Sequence, residues 1–537
     1  MVYRNFFVAL VVVVIASGKI CMAQQARALD VLRYIFEVEI NDTNDSVKLI
    51  ATIHFNLLQD TDNVSFDLIS QRADGTGMKI TSVTSHGTEL KYTHKEDVVT
   101  ISLSSRGKQN ELKTIQIRYG GIPADGLVIS KNKYNHRTFF SDHWPDRARN
   151  WLASVDLPAD KAAVEFKVTA PVHYKVISNG VIIEEVNIDG SRKLTHYRED
   201  NPLPLKVAAI GVADFAVRNE GLVNDIPVQS WVYPEDSTKG FYDFSMALEI
   251  FPYFIKNIGP YPYKKLANVQ SKTIFSGMEN AGAIFYPENA ITGRRSTEVL
   301  MAHEITHQWF GDMATETDYA HVWLSEGFAT YLPILYMEHK HGKDTAMKMR
   351  IEDRMQAIAY SKQKLVPVVD SSTTNYLDLL NANSYQKGGW ILHMLRKQFG
   401  DTLFWNSIRS YYNEYAGKNA VTEDLRRAFE RTTSRDLNRF FHQWVYTPGH
   451  PVLDIQWKYE PGKKQVVLNI IQTQKTIFDF PIEIEIVGSK LKEIVMDRFI
   501  IKEKQTSIKI PVMFRPEKLL VDPSINLFYE GKVKELK

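Results

Sequence analysis

The sequence feature that most constrains this chain of 537 residues is His303-Glu304-Ile305-Thr306-His307. In an α-helix, residues four apart lie one turn above each other on the same face, so His303 and His307 can bind one metal ion. Glu304 lies beside them, where it can take a proton from an attacking water molecule. Eighteen residues separate this segment from Glu326, a third candidate ligand in another helix-like segment. Two imidazoles and one carboxylate leave a tetrahedral position of zinc open, which is typical of hydrolytic zinc sites and not of structural ones.

An alternative interpretation is that the two histidines are surface residues of an ordinary core helix. Under that interpretation Glu304, Glu326 and the motifs described below would all be coincidences. The pattern therefore favours a metal site in which His303, His307 and Glu326 are the ligands.

Length and composition indicate a soluble protein of several domains. A chain of 537 residues is too long for one hydrophobic core and predicts about three domains. Its 44% hydrophobic and 24% charged residues are ordinary for a globular protein. The formal net charge is only +2 and no basic block stands out, which argues against a nucleic acid or an anionic membrane as partner.

The N-terminus has the pattern of a secretory signal. Arg4 precedes an apolar run over residues 6–16, and small residues follow up to Ala23. This pattern predicts a signal peptide of residues 1–23 and export to the periplasm or the outside of the cell. The alternative, a membrane anchor, is disfavoured because the run is too short to span a bilayer comfortably. Cys21 is the only cysteine, so the mature chain is expected to contain neither disulfides nor cysteine-bound zinc.

Three patterns of hydrophobic residues divide the mature chain. Residues 24–216 alternate between apolar and polar positions, with turn residues between the runs, which predicts an all-β domain. Residues 217–451 begin with a few strands and continue with helical patterns. Residues 452–537 alternate again and predict a small β-sandwich. The expected fold class is therefore multidomain α+β, with a mostly α-helical domain between two β domains.

A second motif, Ser276-Gly277-Met278-Glu279-Asn280, follows a predicted strand. A glycine beside a short edge strand allows the backbone of a peptide to approach and pair with it. Glu279 then offers a carboxylate close to where that peptide would lie. The alternative for this segment alone is a turn with an exposed glutamate.

A third motif, Asn383 to Gly389, predicts the start of a helix and contains Tyr385. A phenol at this position can donate a hydrogen bond to the oxyanion that forms when water attacks a carbonyl group. Considered alone, an interior tyrosine is more often a core residue than a catalytic one.

Together these motifs resemble the gluzincin aminopeptidases of family M1, which include the leukotriene-hydrolase branch. The resemblance covers the chain from about Tyr34 to the end of the C-terminal β region. It implies a thermolysin-like fold for the helical domain. The segments that carry it are His303–His307 with Glu326 at the family's spacing, Trp323–Tyr331, Ser276–Asn280, Ser384–Gly389 and Trp444–Pro451.

The resemblance implies a role for each residue of the metal site. His303, His307 and Glu326 would bind one zinc ion per chain. Glu304 would act as the general base and then as the general acid, and Tyr385 would stabilise the oxyanion.

The resemblance also implies a set of substrate-binding residues. Glu279 would bind the free α-amine of a peptide, and the segment of Gly277, Met278 and Asn280 would line the first subsites. The family places a Gln or Glu that helps to bind the amine in the N-terminal domain. Counting back from Arg149 and Asp156, which match the family's Arg and Asp in that region, Asp142 takes that place here. The alternative for Asp142 is a turn residue.

The function expected from the sequence is an exported zinc aminopeptidase of the bacterial type, acting on peptides with a free N-terminus. Many relatives carry a C-terminal helical domain that the sequence given does not show. Two alternatives are a zinc endopeptidase, which needs no amine anchor, and a catalytically silent peptide-binding protein, which would be expected to lack Glu304 or Tyr385. Epoxide hydrolysis, known in one branch of the family, stays open. The sequence predicts neither the preferred first residue nor the oligomeric state.

Overall fold

The computed structural model describes residues 27–490 and 492–536. The predicted signal peptide, residues 1–23, lies outside the described residues. Among the described helices, none is both long and apolar enough to cross a membrane.

The N-terminal region is built almost entirely of strands. In β2 every second residue is buried, as expected for a strand with one face against a core. The strands of this region are β1 (Leu29–Glu39), β2 (Val47–Leu57), β3 (Thr61–Asp67), β4 (Gly77–Ser85), β5 (Thr88–Glu89), β6 (Tyr92–Lys95), β7 (Val98–Gly107), β8 (Leu112–Ile122), β9 (Leu127–Lys131), β10 (Arg137–Ser141), β11 (Lys161–Pro171), β12 (Lys175–Ser178), β13 (Val181–Asn187), β14 (Arg192–Pro204) and β15 (Ile210–Ala213).

These strands form three sheets. The largest has eight strands in the order β13-β14-β11-β1-β2-β8-β4-β5, and β1 and β11 are its parallel neighbours. A four-stranded sheet, β12-β15-β10-β9, leads through the end of β10 into the loop that contains Asp142 and Trp144. The third sheet has the order β3-β7-β6.

The middle region begins with a sheet and continues with helices. The sheet has the order β16-β17-β18-β19, and its last three strands are parallel. Two short π-helices, Asn383–Lys387 and His442–Tyr446, interrupt the helical part. The strands and α-helices of this region are β16 (Ala216–Val223), β17 (Ile226–Val232), α1 (Ser237–Phe244), α2 (Ala247–Asn257), β18 (Leu266–Ser271), β19 (Ala283–Pro287), α3 (Glu298–His307), β20 (Thr315–Glu316), α4 (Trp323–His341), α5 (Lys343–Gln363), α6 (Gly388–Tyr415), β21 (Asn419–Ala420), α7 (Thr422–Thr433) and α8 (Asn438–Phe441).

The C-terminal region consists of two further sheets. One has the order β26-β23-β22-β28 and the other the order β25-β24-β27. The buried residues of β24 alternate with half-buried ones, so one face of this strand forms part of a core. The strands are β22 (Val452–Glu460), β23 (Gln465–Gln472), β24 (Phe480–Gly488), β25 (Ile494–Ile501), β26 (Gln505–Pro511), β27 (Pro516–Val521) and β28 (Glu530–Glu535).

Two lysines, one fully buried and one half-buried, fasten the N-terminal region to the middle region. Lys206 forms a fully buried ion pair with Glu316 of β20. Lys161, the first residue of β11, donates hydrogen bonds to the carbonyl oxygens of Asp312 (3.1 Å) and Met313 (2.7 Å), shortly after α3. Because a buried charge without a partner is strongly destabilising, these contacts hold the N-terminal region in one position against α3.

The observed architecture confirms the predicted fold class. A β-rich N-terminal region, a helical middle region and C-terminal sheets follow one another along the chain. The alternating patterns predicted the strands because each strand buries one face, and the pattern of period 3.6 predicted the helices for the same reason.

Candidate metal centre and active site

The three predicted metal ligands converge in the structure. His303 and His307 lie one turn apart on α3, and their Nε2 atoms are 3.1 Å from each other. Glu326, in the first turn of α4, places its Oε2 atom 3.5 Å from Nε2 of His303 and 3.4 Å from Nε2 of His307. This oxygen is buried and has no hydrogen-bond partner among the described residues. A bound cation would satisfy it.

The orientation of His307 is fixed by its second ring nitrogen. Nδ1 lies 3.1 Å from the carbonyl oxygen of Phe310 and 3.0 Å from the hydroxyl of Ser325. Because a carbonyl oxygen can only accept, Nδ1 carries the proton and the lone pair is on Nε2. That nitrogen faces Glu326, which is the tautomer that a metal ligand needs.

The electrostatics of the site favour a cation. Burial alone would lower the pKa of His307, but the carboxylates of Glu326, Glu279 and Glu304 raise it to about 10. Burial opposes ionisation of Glu326, yet His307 and His303 hold the pKa of this carboxyl well below its usual range. A zinc ion would take the place of the proton on Nε2 of His307. Two imidazoles and one ionised carboxylate are then a donor set that zinc prefers, so the residues present fit a zinc ion.

Glu304 is buried against the backbone of Gly277. Its side chain is 4% exposed, and burial raises the pKa of its carboxyl above the ordinary value. A Cβ atom added to Gly277 would lie 2.1 Å from Oε1 of Glu304, so a larger residue there would displace this carboxylate. Glycine at this position therefore gives Glu304 its place, and the raised pKa suits a group that accepts and returns a proton.

Tyr385 lies on the π-helix Asn383–Lys387 and faces the metal ligands. Its ring is parallel to that of His303, with the ring centroids 6.0 Å apart. Burial and the neighbouring carboxylates of Glu326 and Glu279 raise the pKa of Tyr385 well above its usual value. The phenol therefore keeps its proton and can donate a hydrogen bond into the site.

Two glycines bring Glu326 and Tyr385 together. A Cβ atom added to Gly327 would lie 2.9 Å from the carbonyl carbon of Gly388, so no larger residue fits without a shift of the backbone. The close approach places α4, which carries Glu326, directly against the π-helix and the start of α6. The glycines that follow the ligand and the tyrosine in sequence are thus structural requirements of the site.

The segment with Glu279 runs beside the edge of the middle sheet. Met278 and Phe285 of β19 exchange two backbone hydrogen bonds of 2.8 Å. Gln308, the residue after His307, donates from Nε2 to the carbonyl oxygen of Glu279 at 2.7 Å. Glu279 is only 6% exposed, so its carboxylate is largely buried.

One cavity of about 510 Å³ joins these residues. Its walls include most of the residues predicted from the sequence, namely His303, Glu304, His307, Glu326, Tyr385, Gly277, Met278 and Glu279. The remaining walls are largely apolar or aromatic, and they comprise Trp144, Phe275, Ser276, Val299, Leu300 and Leu380.

Two predicted substrate-binding residues do not line this cavity. Asn280 is fully buried, and neither polar atom of its side chain has a hydrogen-bond partner among the described residues. Asp142 is also fully buried, and both of its carboxylate oxygens accept hydrogen bonds. Binding of a substrate by either residue stays a prediction.

Reasoning from the sequence missed several residues that shape the site. Ser325 orients His307, Gln308 holds the backbone of Glu279, and Arg147 pairs with Asp142. The position of Ser325 beside Glu326 and of Gln308 beside His307 is the only signal in the sequence. Their partners are brought close by tertiary contacts, which a pattern along the chain does not contain.

Comparison with known families finds two matches that together cover most of the chain. The Peptidase M1 N-terminal domain matches residues 31–204 and the Peptidase family M1 domain matches residues 242–444. The second match contains all the residues of the candidate metal site.

The chain is also similar to several aminopeptidases. Probable aminopeptidase 1 of Sulfurisphaera tokodaii is 25% identical over 85% of this chain and 61% of its own length. Aminopeptidase 2 of Candida albicans is 25% identical over 89% of this chain and 54% of its own length. Glutamyl aminopeptidase of Homo sapiens is 26% identical over 61% of this chain and 36% of its own length. The match spans less than two thirds of each of these relatives, and both parts of it lead to the same family. The chain belongs to peptidase family M1.

Proposed function

We propose that this protein is a zinc-dependent aminopeptidase that removes the N-terminal residue of peptides. The observation that carries the proposal is the buried carboxylate of Glu279, which shares one cavity with the metal site and the general base. A carboxylate at that place gives a positively charged α-amine a partner one residue from the bond to be cleaved. The names of the relatives support the same activity.

The residues of the metal site divide the chemistry among them. His303, His307 and Glu326 would hold zinc, which acts as a Lewis acid and lowers the pKa of water. Glu304 accepts the proton of the attacking water and returns it to the leaving amine, because its carboxylate is buried and lies within 4.8 Å of the ring nitrogens of His303 and His307. Tyr385 donates a hydrogen bond to the oxyanion that develops on the substrate carbonyl.

Glu279 explains why the enzyme would cleave at chain ends. An ammonium group that meets this carboxylate in a largely buried site gains a charge-assisted hydrogen bond. Such a bond is worth about 1.5–3 kcal/mol, on the order of 10- to 150-fold in kcat/KM. An acetylated amine has lost the charge and carries additional bulk, so the penalty for acetylation should be at least as large.

The test is a pair of peptides that differ only in N-acetylation. The free peptide should lose its first residue and the acetylated one should stay intact. The Glu279→Ala variant should lose most activity on the free peptide, so the difference in cleavage rate between the free and the acetylated peptide should become smaller. Glu352→Gln, which changes an exposed carboxylate on α5, is the matched control and should leave both rates unchanged. Cleavage of both peptides at internal bonds would instead identify a zinc endopeptidase.

We further propose that the protein is exported and that its signal peptide ends at Ala23. The support is the pattern of Arg4, the apolar run and the small residues before Ala23. N-terminal sequencing of the exported protein should find Gln24 first. An exported chain that still begins at Met1 would contradict the proposal.

A further inference from the structure

The cavity of the active site has one wall that the proposed mechanism does not use. Trp144 comes from the loop after β10 in the N-terminal region, and Phe275 comes from the segment after β18 in the middle region. Their rings meet edge to face with centroids 6.1 Å apart, and Trp144 also contacts Tyr319 at 5.6 Å. Trp144 and Phe275 both line the cavity, and we call this pair the aromatic wall.

A buried ion pair lies directly behind the aromatic wall. Oδ1 of Asp142 accepts from Nη2 of Arg147 at 2.5 Å, and Oδ2 accepts from the backbone nitrogen of Ile274 at 2.8 Å. The side chain of Asp142 is fully buried and does not line the cavity, so these bonds hold it inside the protein.

Arg147 connects the ion pair to both rings. Its Nε atom donates to the carbonyl oxygen of Trp144 at 2.9 Å, and its guanidinium carbon lies 5.6 Å from the centroid of the Phe275 ring. Asp142 meanwhile holds the backbone next to Phe275 through Ile274. The pair therefore ties the two halves of the wall to each other, although they belong to different regions of the chain.

The chemistry of the cavity limits which side chain can lie against this wall. Apart from the metal ligands, its charged lining residues are Glu279 and Glu304, and no lysine or arginine lines it among the described residues. A substrate carboxylate would therefore meet like charges without a partner, which is costly in a buried site. An apolar side chain would meet two aromatic rings and leave water.

We infer that the aromatic wall receives the side chain of the substrate's first residue, and that Asp142 with Arg147 positions the wall. This inference rests on the proposed aminopeptidase activity. The first residue's Cα lies between the amine at Glu279 and the reacting carbonyl at Tyr385, so its side chain starts inside this cavity. The enzyme then prefers peptides whose first residue is large and apolar or aromatic, and it discriminates against acidic ones.

The first experiment measures kcat/KM on a panel of aminoacyl substrates with the same leaving group. Phe and Leu should exceed Ala by about 10- to 100-fold, the scale for several methylenes in an apolar pocket. Gln should exceed Glu by at least about 10-fold, since the two side chains have nearly the same shape and differ in charge. Equal rates for Phe and Ala, or for Gln and Glu, would overturn the inference and leave the aminopeptidase activity standing. If the zinc-loaded enzyme cleaves no free-amine substrate, the proposed function itself is wrong.

Variants of the wall form the second experiment. Phe275→Ala should reduce the ratio of Phe to Ala cleavage by about tenfold, with most of the Ala rate retained. Phe275 is half-buried, and Phe275→Leu is a second variant with a smaller change of volume. Its ratio of Phe to Ala cleavage should lie between those of the wild type and Phe275→Ala. An unchanged ratio in both variants, with zinc still bound, would overturn the role of the wall.

Asp142→Asn separates positioning from amine binding. If Asp142 is a positioning residue, Asp142→Asn should reduce the ratio of Phe to Ala cleavage through KM. The ratio of free to acetylated peptide cleavage should stay unchanged. If Asp142 binds the amine, Asp142→Asn should lower kcat/KM for all free-amine substrates alike and reduce the ratio of free to acetylated cleavage. That result would overturn the positioning role. Asp125→Asn is the matched control, because half-exposed Asp125 also pairs with Arg147 at 3.0 Å but touches neither Ile274 nor Phe275. The Asp125→Asn variant should leave the ratio of Phe to Ala cleavage unchanged.

Discussion

Glu304 owes its chemistry to what surrounds it on two sides. The backbone of Gly277 lies against its carboxylate, and the imidazoles of His303 and His307 lie on its own helix. Burial raises the pKa of the carboxyl while the imidazoles oppose the rise. A proton can therefore move onto and off this group near neutral pH, although an exposed glutamate would stay ionised there.

The first prediction concerns Glu304→Gln. The amide has almost the same shape but cannot accept the proton of water, so turnover should fall by at least about 10²- to 10⁴-fold. Zinc content should stay at about one ion per chain, because Glu304 is not one of the three proposed ligands. Elemental analysis together with rates on an aminoacyl substrate checks both parts. Loss of zinc in this variant would show that Glu304 is a ligand.

The second prediction concerns Tyr385→Phe. Removing the hydroxyl deletes one donor to the oxyanion and should cost about 10²- to 10³-fold in kcat. The melting temperature should change little, because the ring stays in place. Tyr411→Phe is the matched control: this fully buried tyrosine on α6 does not line the cavity, and its variant should keep full activity. A Tyr385→Phe enzyme with unchanged kcat would assign Tyr385 to the core.

At the scale of single residues, the sequence predicted what depends on local spacing. The four-residue interval of His303 and His307 is a property of any helix, so their pairing was predictable. The environment of Asp142 was not, because its partners Arg147 and Ile274 come together only when two regions pack. The spacing of Asp142 from the family's Arg and Asp predicts that Asp142 lies near the site. It does not predict whether the side chain faces the cavity or the protein interior.

Among the secondary-structure elements, the contact of α4 with the start of α6 decides the geometry of the site. Helices normally pack with axes 8–10 Å apart, separated by side chains. Here the backbones meet at Gly327 and Gly388, because neither residue has a side chain to hold them apart. Glu326 and Tyr385 consequently reach the same point from two different elements.

The third prediction concerns Gly327→Ala. The new methyl group would lie 2.9 Å from the backbone of Gly388, so α4 or the π-helix must shift. Overpacking of this kind costs about 1–3 kcal/mol and should lower both the melting temperature and the affinity for zinc. Thermal unfolding and competition with a chelator measure the two effects.

Gly462→Ala provides the control for that variant. A Cβ atom at Gly462 meets nothing within 4 Å, so the melting temperature should stay unchanged. If Gly327→Ala behaved like Gly462→Ala, the close approach of the two elements would be unnecessary for the site.

The π-helix shows where prediction of elements from sequence ends. The sequence predicted a helix opening at Asn383, and a helical element does begin there. Its wider turn was not predicted, since π-turns are short and leave no periodic pattern of apolar residues. This turn places the ring of Tyr385 parallel to the ring of His303. A feature that sequence patterns do not reveal therefore sets the direction of a proposed catalytic group.

For the whole molecule, zinc should link activity to stability. Two proposed ligands lie on α3 and one on α4, helices that are separate in sequence, so a bound ion would cross-link them. A ligand that binds only the folded state at 1,000 times its Kd adds about 4 kcal/mol of stability.

The fourth prediction is therefore a fall in melting temperature together with loss of activity when a chelator is added. Added zinc should restore both. His307→Ala supplies the control, because a site that has lost a ligand should melt at nearly the same temperature with and without chelator. A wild-type protein whose activity and melting temperature ignore the chelator would contradict the zinc site.

The order of the regions was predictable for a simple reason. Strands and helices that bury one face leave different periods in the sequence, and the periods change between the regions of this chain. How the N-terminal region sits against the middle region was not predictable. That arrangement depends on single contacts such as those of Lys161 with the carbonyl oxygens after α3, and sequence reasoning places a lone lysine at the exposed surface.

Lys206 and Glu316 bury opposite charges where the N-terminal and middle regions meet. Neither region can detach without giving up this pair, and each alone would expose one unpaired charge. The two regions should therefore melt in one cooperative transition, and a protease should not excise either of them intact. For the same reason they are not interchangeable modules: a hybrid that joined this N-terminal region to another family member's catalytic region would need a carboxylate at the place of Glu316 to fold.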